Sequence, residues 1–403
     1  VAHSFRRLAW SNLAAQSAEQ VALAALPIVA VATLGAGAGE TGLLAAMQSL
    51  PFLLLSLPAG LLADRFSRVR LMGCAELLRA SVLLGVPVCL VLGGLSVPVL
   101  AAAGFLAATG TVVFSVAAPS LVPSLVARDG LAGANRQLEL ARSLAFAAGP
   151  AVAGSLVGWA GAPPAFALAV MLSALAALLL LRLPEAPRTP RSAHPVLQEL
   201  REGAAFAWGH ALIRPILLTA VAWNVSWFVL QAAYVPYAMQ RMGLPTATVG
   251  TTLAMFGVGM VSGALLAPGI ARFVNFGLSI ALGPLVSVVA ALSMVLSIWL
   301  PGAALPSLAF FLFGFGPILW TIGQTTLRQA VTPEHMLGRV SALVMMATAG
   351  ARPLGAAIGG VVGAAQGAEA CLLLAAIGFA VQAWVIMASP VSRLVRLPGA
   401  ASA

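Results

Sequence analysis

The chain has no lysine, two aspartates, three cysteines and four histidines, and charged residues make up 8% of its 403 positions. All 21 basic residues are therefore arginines. A phosphate-cradling P-loop needs its lysine, and so does a Schiff-base pigment or a pyridoxal enzyme, so these classes are excluded. Cys74, Cys89 and Cys371 fall singly in apolar stretches without metal-type spacing and read as small core residues. His3, His194, His210 and His335 lie in polar stretches, and Asp64 and Asp129 in short loops, so no metal site and no cofactor is expected. A soluble domain is about 25% charged, so the chain lacks the residues for a wetted surface of ordinary size.

What is present is apolar: 61% of the residues are hydrophobic and the mean hydropathy is +1.02. The apolar runs are about twenty residues long and do not alternate, which predicts membrane-spanning helices rather than barrel strands. They fall near 8–34, 41–63, 71–94, 97–122, 133–159 and 164–183, then near 214–240, 246–270, 278–300, 304–328, 338–364 and 370–389. Between the two sets, 184–213 holds Pro184, Pro187, Pro190 and Pro195 with Glu185, Glu199 and Glu202 and reads as a linker. Within it, 196–212 predicts a short amphipathic helix on the membrane surface. The expected organisation is an all-α membrane protein with a six-helix unit over 1–183, the linker, and a second six-helix unit over 214–403.

Arginine placement predicts orientation, because the basic bias of short loops sets topology. One set of connections holds Arg6, Arg7, Arg65, Arg68, Arg70, Arg128, Arg188, Arg191, Arg272, Arg328, Arg393 and Arg396, and the other holds Arg241 alone with Glu40 and Glu369. Both termini and the linker are expected on the cytoplasmic face, no cleavable signal peptide is evident, and the net charge of +10 needs no nucleic-acid partner. The halves also repeat: Gly60 matches Gly263 and Pro150 matches Pro353, both at an offset of 203 residues. Two parallel six-helix bundles with a binding site between them are a transporter architecture.

Two motifs carry mechanism. Gly60-Leu-Leu-Ala-Asp64-Arg65-Phe-Ser-Arg68-Val-Arg70 resembles the signature loop of the major facilitator superfamily, with Ser67 where that family usually has glycine. The resemblance implies a twelve-helix transporter in which Gly60 allows close helix contact and the Asp64, Arg65, Arg68 and Arg70 cluster locks the cytoplasmic gate. The stretch Ala145–Gly154, with Gly149, Pro150 and Gly154, resembles the motif of drug and proton exchangers, although alanine replaces glycine at 145 and 153. Together with the sequence around 119–154 and TPEHMLGRVSA, these stretches look like the branch that holds enterobactin exporters and macrolide efflux pumps.

Ionisable groups inside a bilayer cost roughly 2.5 to 3.5 kcal/mol on insertion scales, so each needs a reason. Glu19 lies about 16 Å along the first span, near mid-bilayer, with Gln16 and Gln20 beside it. The repeat-related seventh span carries Asn224, Trp227, Gln231 and Tyr234 at helical spacing. Arg352, deep in the eleventh span, stays charged and needs an anion, either Glu19 or an acidic substrate. Trp320 and Gln324 in the tenth span are further candidates for a cavity wall. Glu76 with Arg79 and Glu139 with Arg142 form i,i+3 pairs expected just inside the cytoplasmic edge, as a charge network beside the gating loop. The expectation is a monomeric, multi-pass transporter of a bacterial inner membrane that exports an amphiphilic molecule against protons bound at Glu19. Uptake or facilitated passage, with Glu19 and Arg352 purely structural, is the alternative, and a membrane enzyme or sensor is remote.

Overall fold

The computed structural model describes residues 2–126, 131–181, 183, 196–270 and 272–398. They form α1 (Ala2–Leu34), α2 (Ala38–Arg65), α3 (Arg68–Val91), α4 (Val97–Leu125), α5 (Leu131–Ala160), α6 (Ala162–Leu180), α7 (Val196–Gly209), α8 (Ile213–Pro236), α9 (Thr246–Ile270), α10 (Phe276–Leu296), α11 (Ala304–Val331), α12 (Glu334–Gln366) and α13 (Ala368–Ala388), with no strand among the described residues. All but α7 belong to the twelve segments long and apolar enough to cross a membrane. Each satisfies its own backbone polar groups, which is the condition for stability in hydrocarbon. Prolines inside the spans, such as Pro27, Pro150 and Pro353, interrupt the ladder where neighbouring helices pack against it.

The same packing pattern occurs twice. In the first six helices α1 packs on α5 and α6, α3 on α4 and α6, and α2 on α4; in the last six α8 packs on α12 and α13, α10 on α11 and α13, and α9 on α11. The contacts between the sets follow the same symmetry, α5 against α9 and α2 against α12.

Glycine makes those junctions. A Cβ at Gly154 of α5 would sit 2.5 Å from Thr246 O and 2.8 Å from Gly250 Cα of α9, and one at Gly42 of α2 would overlap Gly360 of α12. Small residues of this kind let helix backbones meet in a membrane. All glycine contacts between the two sets, among the described residues, lie at the end of the molecule holding Glu40 and Glu369 or at its middle, where Gly257 meets Ala147 and Gly350 meets Leu53. Three further bonds tie the sets at that end: Thr41 Oγ1 donates to Ala232 O, and Gln240 Nε2 donates to Ala36 O at 2.9 Å and to Gly35 O at 3.4 Å.

The helix within the linker runs over Val196–Gly209 and lies on α12. Its Ala207 is buried with Ile213 and Val340, and Arg339 Nη1 donates to Glu202 Oε2 at 2.5 Å. The proline-rich part of the linker, 184–195, lies outside the described residues. Ser67 caps α3: its Oγ accepts from Arg70 N at 3.2 Å, and its φ of −57° asks nothing of glycine. That accounts for serine at a turn where the family motif has glycine.

Candidate functional site

A cavity of about 610 Å³ lies between the two six-helix sets. Its wall from the first set is polar, with Glu19 and Gln20 of α1, Gln48 and Ser49 of α2, Arg79 of α3, Thr111 of α4 and Arg142 of α5. The opposite wall combines polar groups, among them Asn224, Gln231 and Arg352, with a cluster of aromatic rings. Trp223 and Trp227 of α8 stack with ring centres 5.3 Å apart, Phe256 of α9 lies 4.9 Å from Trp227, and Trp223 Nε1 donates to Ser287 Oγ at 3.3 Å.

Glu19 occupies the middle of α1 and is half-buried, with its carboxyl on the cavity. Neither a hydrogen bond nor an ion pair holds it among the described residues. The charges that act on it belong to Arg79, Glu76, Arg142 and Arg352. Arg352 reaches the same cavity from α12, its guanidinium 5.2 Å from the centre of the Phe52 ring of α2, a cation–π contact that crosses between the two sets. Its Nε is buried and has no hydrogen-bond partner. The ion pair between Glu19 and Arg352 that the sequence allowed is not formed.

Of the other cavity candidates, Gln20, Asn224, Trp227, Gln231, Trp320 and Gln324 line it. Gln16 and Tyr234 do not. Gln16 sits one turn before Glu19, below the lining. Tyr234 is fully buried among Phe310 and its neighbours, with its hydroxyl on Thr252 Oγ1. Successive helical residues turn by about 100°, so Tyr234 points roughly 80° away from Asn224.

The Glu76–Arg79 pair also differs from expectation in depth. Arg79 is the twelfth residue of the 24-residue α3, at mid-helix rather than at an edge. There it donates to both oxygens of Glu76 at 2.8 and 2.9 Å, to Ala15 O of α1 at 3.1 Å and to Thr111 Oγ1 of α4 at 2.7 Å. The pair therefore joins α1, α3 and α4. Arg142 lines the cavity with its guanidinium 5.7 Å from the Phe146 ring centre. The side chains of Asp64, Arg65 and Glu139 lie outside the described residues, as does any cluster built on them. Gly60 lies in α2 and Arg68 and Arg70 begin α3.

Gly149 and Gly154 face different partners. A Cβ at Gly149 would strike Gln20 of α1, which brings α5 against the Glu19 turn, whereas Gly154 meets α9. The sequence reading missed Gln48, Phe52, Trp223 and Phe256 as wall residues. A signal existed for Gln48 alone, as a lone amide in an apolar span, because aromatic residues in spans look the same whether they face a cavity, a helix or lipid.

A sequence model of the Major Facilitator Superfamily matches residues 8–356. The chain is 26% identical over 385 residues to the multidrug efflux pump Tap of Mycobacterium tuberculosis, covering 91% of this chain and 89% of that protein. It is 27% identical over 262 residues to the enterobactin exporter EntS of Escherichia coli, covering 65% and 61% respectively. A solved structure of a bacterial homologue of the iron transporter ferroportin, in its inward-facing state, superposes with a TM-score of 0.72 at 18% identity, over 95% of this chain and 99% of that one. This last likeness concerns the fold alone.

Proposed function

The chain belongs to the major facilitator superfamily and is a membrane transporter rather than an enzyme, and on that premise we propose that it exports an amphiphilic small molecule in exchange for protons. The observation that carries the reading is Glu19: a carboxyl at mid-membrane, open to the central cavity and free of any described ion pair. A carboxyl in that setting can alternate between a bound proton and a bound substrate. The named efflux relatives favour export, although at 26 and 27% identity they leave the substrate open.

In this mechanism the two six-helix units rock about the cavity. The arginine-rich end faces the cytoplasm of a bacterial inner membrane, and the glycine junctions of α5 with α9 and α2 with α12 close the opposite end. Substrate enters from the cytoplasm while Glu19 is ionised. The units swing, a proton arriving from the more acidic outer side takes the carboxylate, and the substrate leaves because its partner has been neutralised. The protonated carboxyl removes a charge from the apolar interior, which eases the return. Arg68, Arg70 and the Asp64 loop are assigned to the cytoplasmic gate, and the transporter is assigned to work as a monomer.

The test is gradient-driven flux. Purified protein in liposomes with an imposed pH gradient should accumulate amphiphilic dyes above the level of empty liposomes. Glu19→Gln should remove the gradient-dependent part and leave exchange at zero gradient. Gradient-driven flux of the same size in that variant would assign Glu19 a structural role and favour facilitated passage.

A further inference from the structure

Two ionic groups on the cavity wall, Glu19 and Arg352, make no described hydrogen bond or ion pair, although each lies in the field of the other and of Arg142. Arg79 is neutralised by the two-point contact with Glu76, and this pair is closed. Glu19, on the first unit, has no cation bonded to it among the described residues. Arg352, on the second, has no described acceptor at all, and its Nε is sealed from solvent. A buried N–H without an acceptor is costly, and a charged one more so. Arg352 also has company. Its guanidinium lies over Phe52, and Gln48 stands one helical turn from Phe52 on the same face of α2, with its Nε2 buried and unpartnered as well. Two donors on the cavity wall, one from each unit, thus lack an acceptor.

We propose that the substrate is a zwitterion with an aromatic body. Its cationic group sits against Glu19, its anionic group against Arg352 and Gln48, and its body on the Trp223, Trp227 and Phe256 wall. A singly charged ligand satisfies one group and leaves the other buried and uncompensated, which is the expensive arrangement. A zwitterion satisfies both without adding net charge to the cavity. Its anionic end bridges the units, because Gln48 belongs to α2 and Arg352 to α12, so substrate binding is tied to their relative position. The inference rests on the proposed use of this cavity for substrate, but not on proton coupling.

Three dansyl probes separate the terms, because they share one body and one linker length. Nε-dansyl-lysine carries both charges, dansylcadaverine lacks the carboxylate, and dansyl-6-aminohexanoic acid lacks the amine. Binding is read at equilibrium, with no gradient, as saturable energy transfer from tryptophan in the full-length protein held in lipid nanodiscs. The expected order places the zwitterion about tenfold or more above either singly charged probe, the worth of one charge-assisted hydrogen bond. Arg352→Gln should lower the zwitterion to the level of dansylcadaverine and leave the latter unchanged, and Glu19→Gln should lower it to the level of the acid. Equal or tighter binding of a singly charged probe, or an equal loss for all three probes in Arg352→Gln, overturns the proposal. If Arg352→Gln does not fold, Gln48→Leu and Arg352→Lys answer the question: selective weakening of the two carboxylate probes in the first and retention of the order in the second support the assignment, and any other pattern overturns it. A failure of the transport reading looks different, as unchanged gradient-driven flux in Glu19→Gln with the binding order intact.

Discussion

Arg79 makes four hydrogen bonds at the middle of α3, and they explain how a charge is kept in the membrane interior without being available to substrate. Its exposure is 1% and that of Glu76 is 0%. Removing one partner strands the other, at about 3 to 5 kcal/mol, whereas replacing both with apolar residues of similar volume is close to neutral. Arg79→Met and Glu76→Leu should therefore each lower the melting temperature of the detergent-purified protein sharply, and the double variant should lie above both single variants. Additive losses in the double variant would mean that the two residues act independently. The sequence disclosed the pair through its i,i+3 spacing but not its depth. Long charged side chains near a span end reach for the interface, so the pattern alone does not separate a snorkelling pair from a closed one. Glu19 was legible for the opposite reason: a short acid eleven residues into an apolar run has no interface within reach.

At the level of helices, α5 and α2 close one end of the molecule against α9 and α12. Gly154 and Gly250 leave no room for a side chain between α5 and α9, and Thr246 O would meet any Cβ at Gly154. Gly154→Val should hold that end open. A cysteine placed at Gln231, on the cavity wall, should then react several-fold faster with an impermeant thiol reagent supplied from the Glu40 and Glu369 side. An unchanged rate would show that the junction is not the seal. Most of the helices could be read from hydropathy, because length and apolarity are what a bilayer requires. Their ends could not. The first span was read from residue 8, but α1 begins at Ala2, since helix continues through Arg6 and Arg7 beyond the apolar run. The five-residue π-helical turn at Tyr237–Arg241 that prolongs α8 left no mark in composition. Face was harder still than ends: Asn224 and Gln231 share a direction that Tyr234 has already left, and small angular drifts of this kind accumulate along a helix.

The whole molecule is a pair of similarly packed units whose contacts exchange under the internal repeat, α5 with α9 against α12 with α2. The 203-residue offset between matching glycines and prolines pointed to duplication, but the cavity between the units, with polar groups from both and most of its aromatic rings from the second, required the structure. Such a construction favours two arrangements of rigid units over gradual deformation, and the central claim is that the charge of Glu19 selects between them. The most direct measurement is the pair of distances between spin labels across the two ends of the molecule, at exposed sites: Leu92 with Leu300 at the end holding Glu40 and Glu369, and Arg70 with Phe273 at the arginine-rich end. In a background with Cys74, Cys89 and Cys371 replaced, acidification should shorten the first distance and lengthen the second, and Glu19→Gln should show the acid pattern at neutral pH. Distances that do not change with pH, or a Glu19→Gln variant that still follows pH as the unsubstituted protein does, would contradict it.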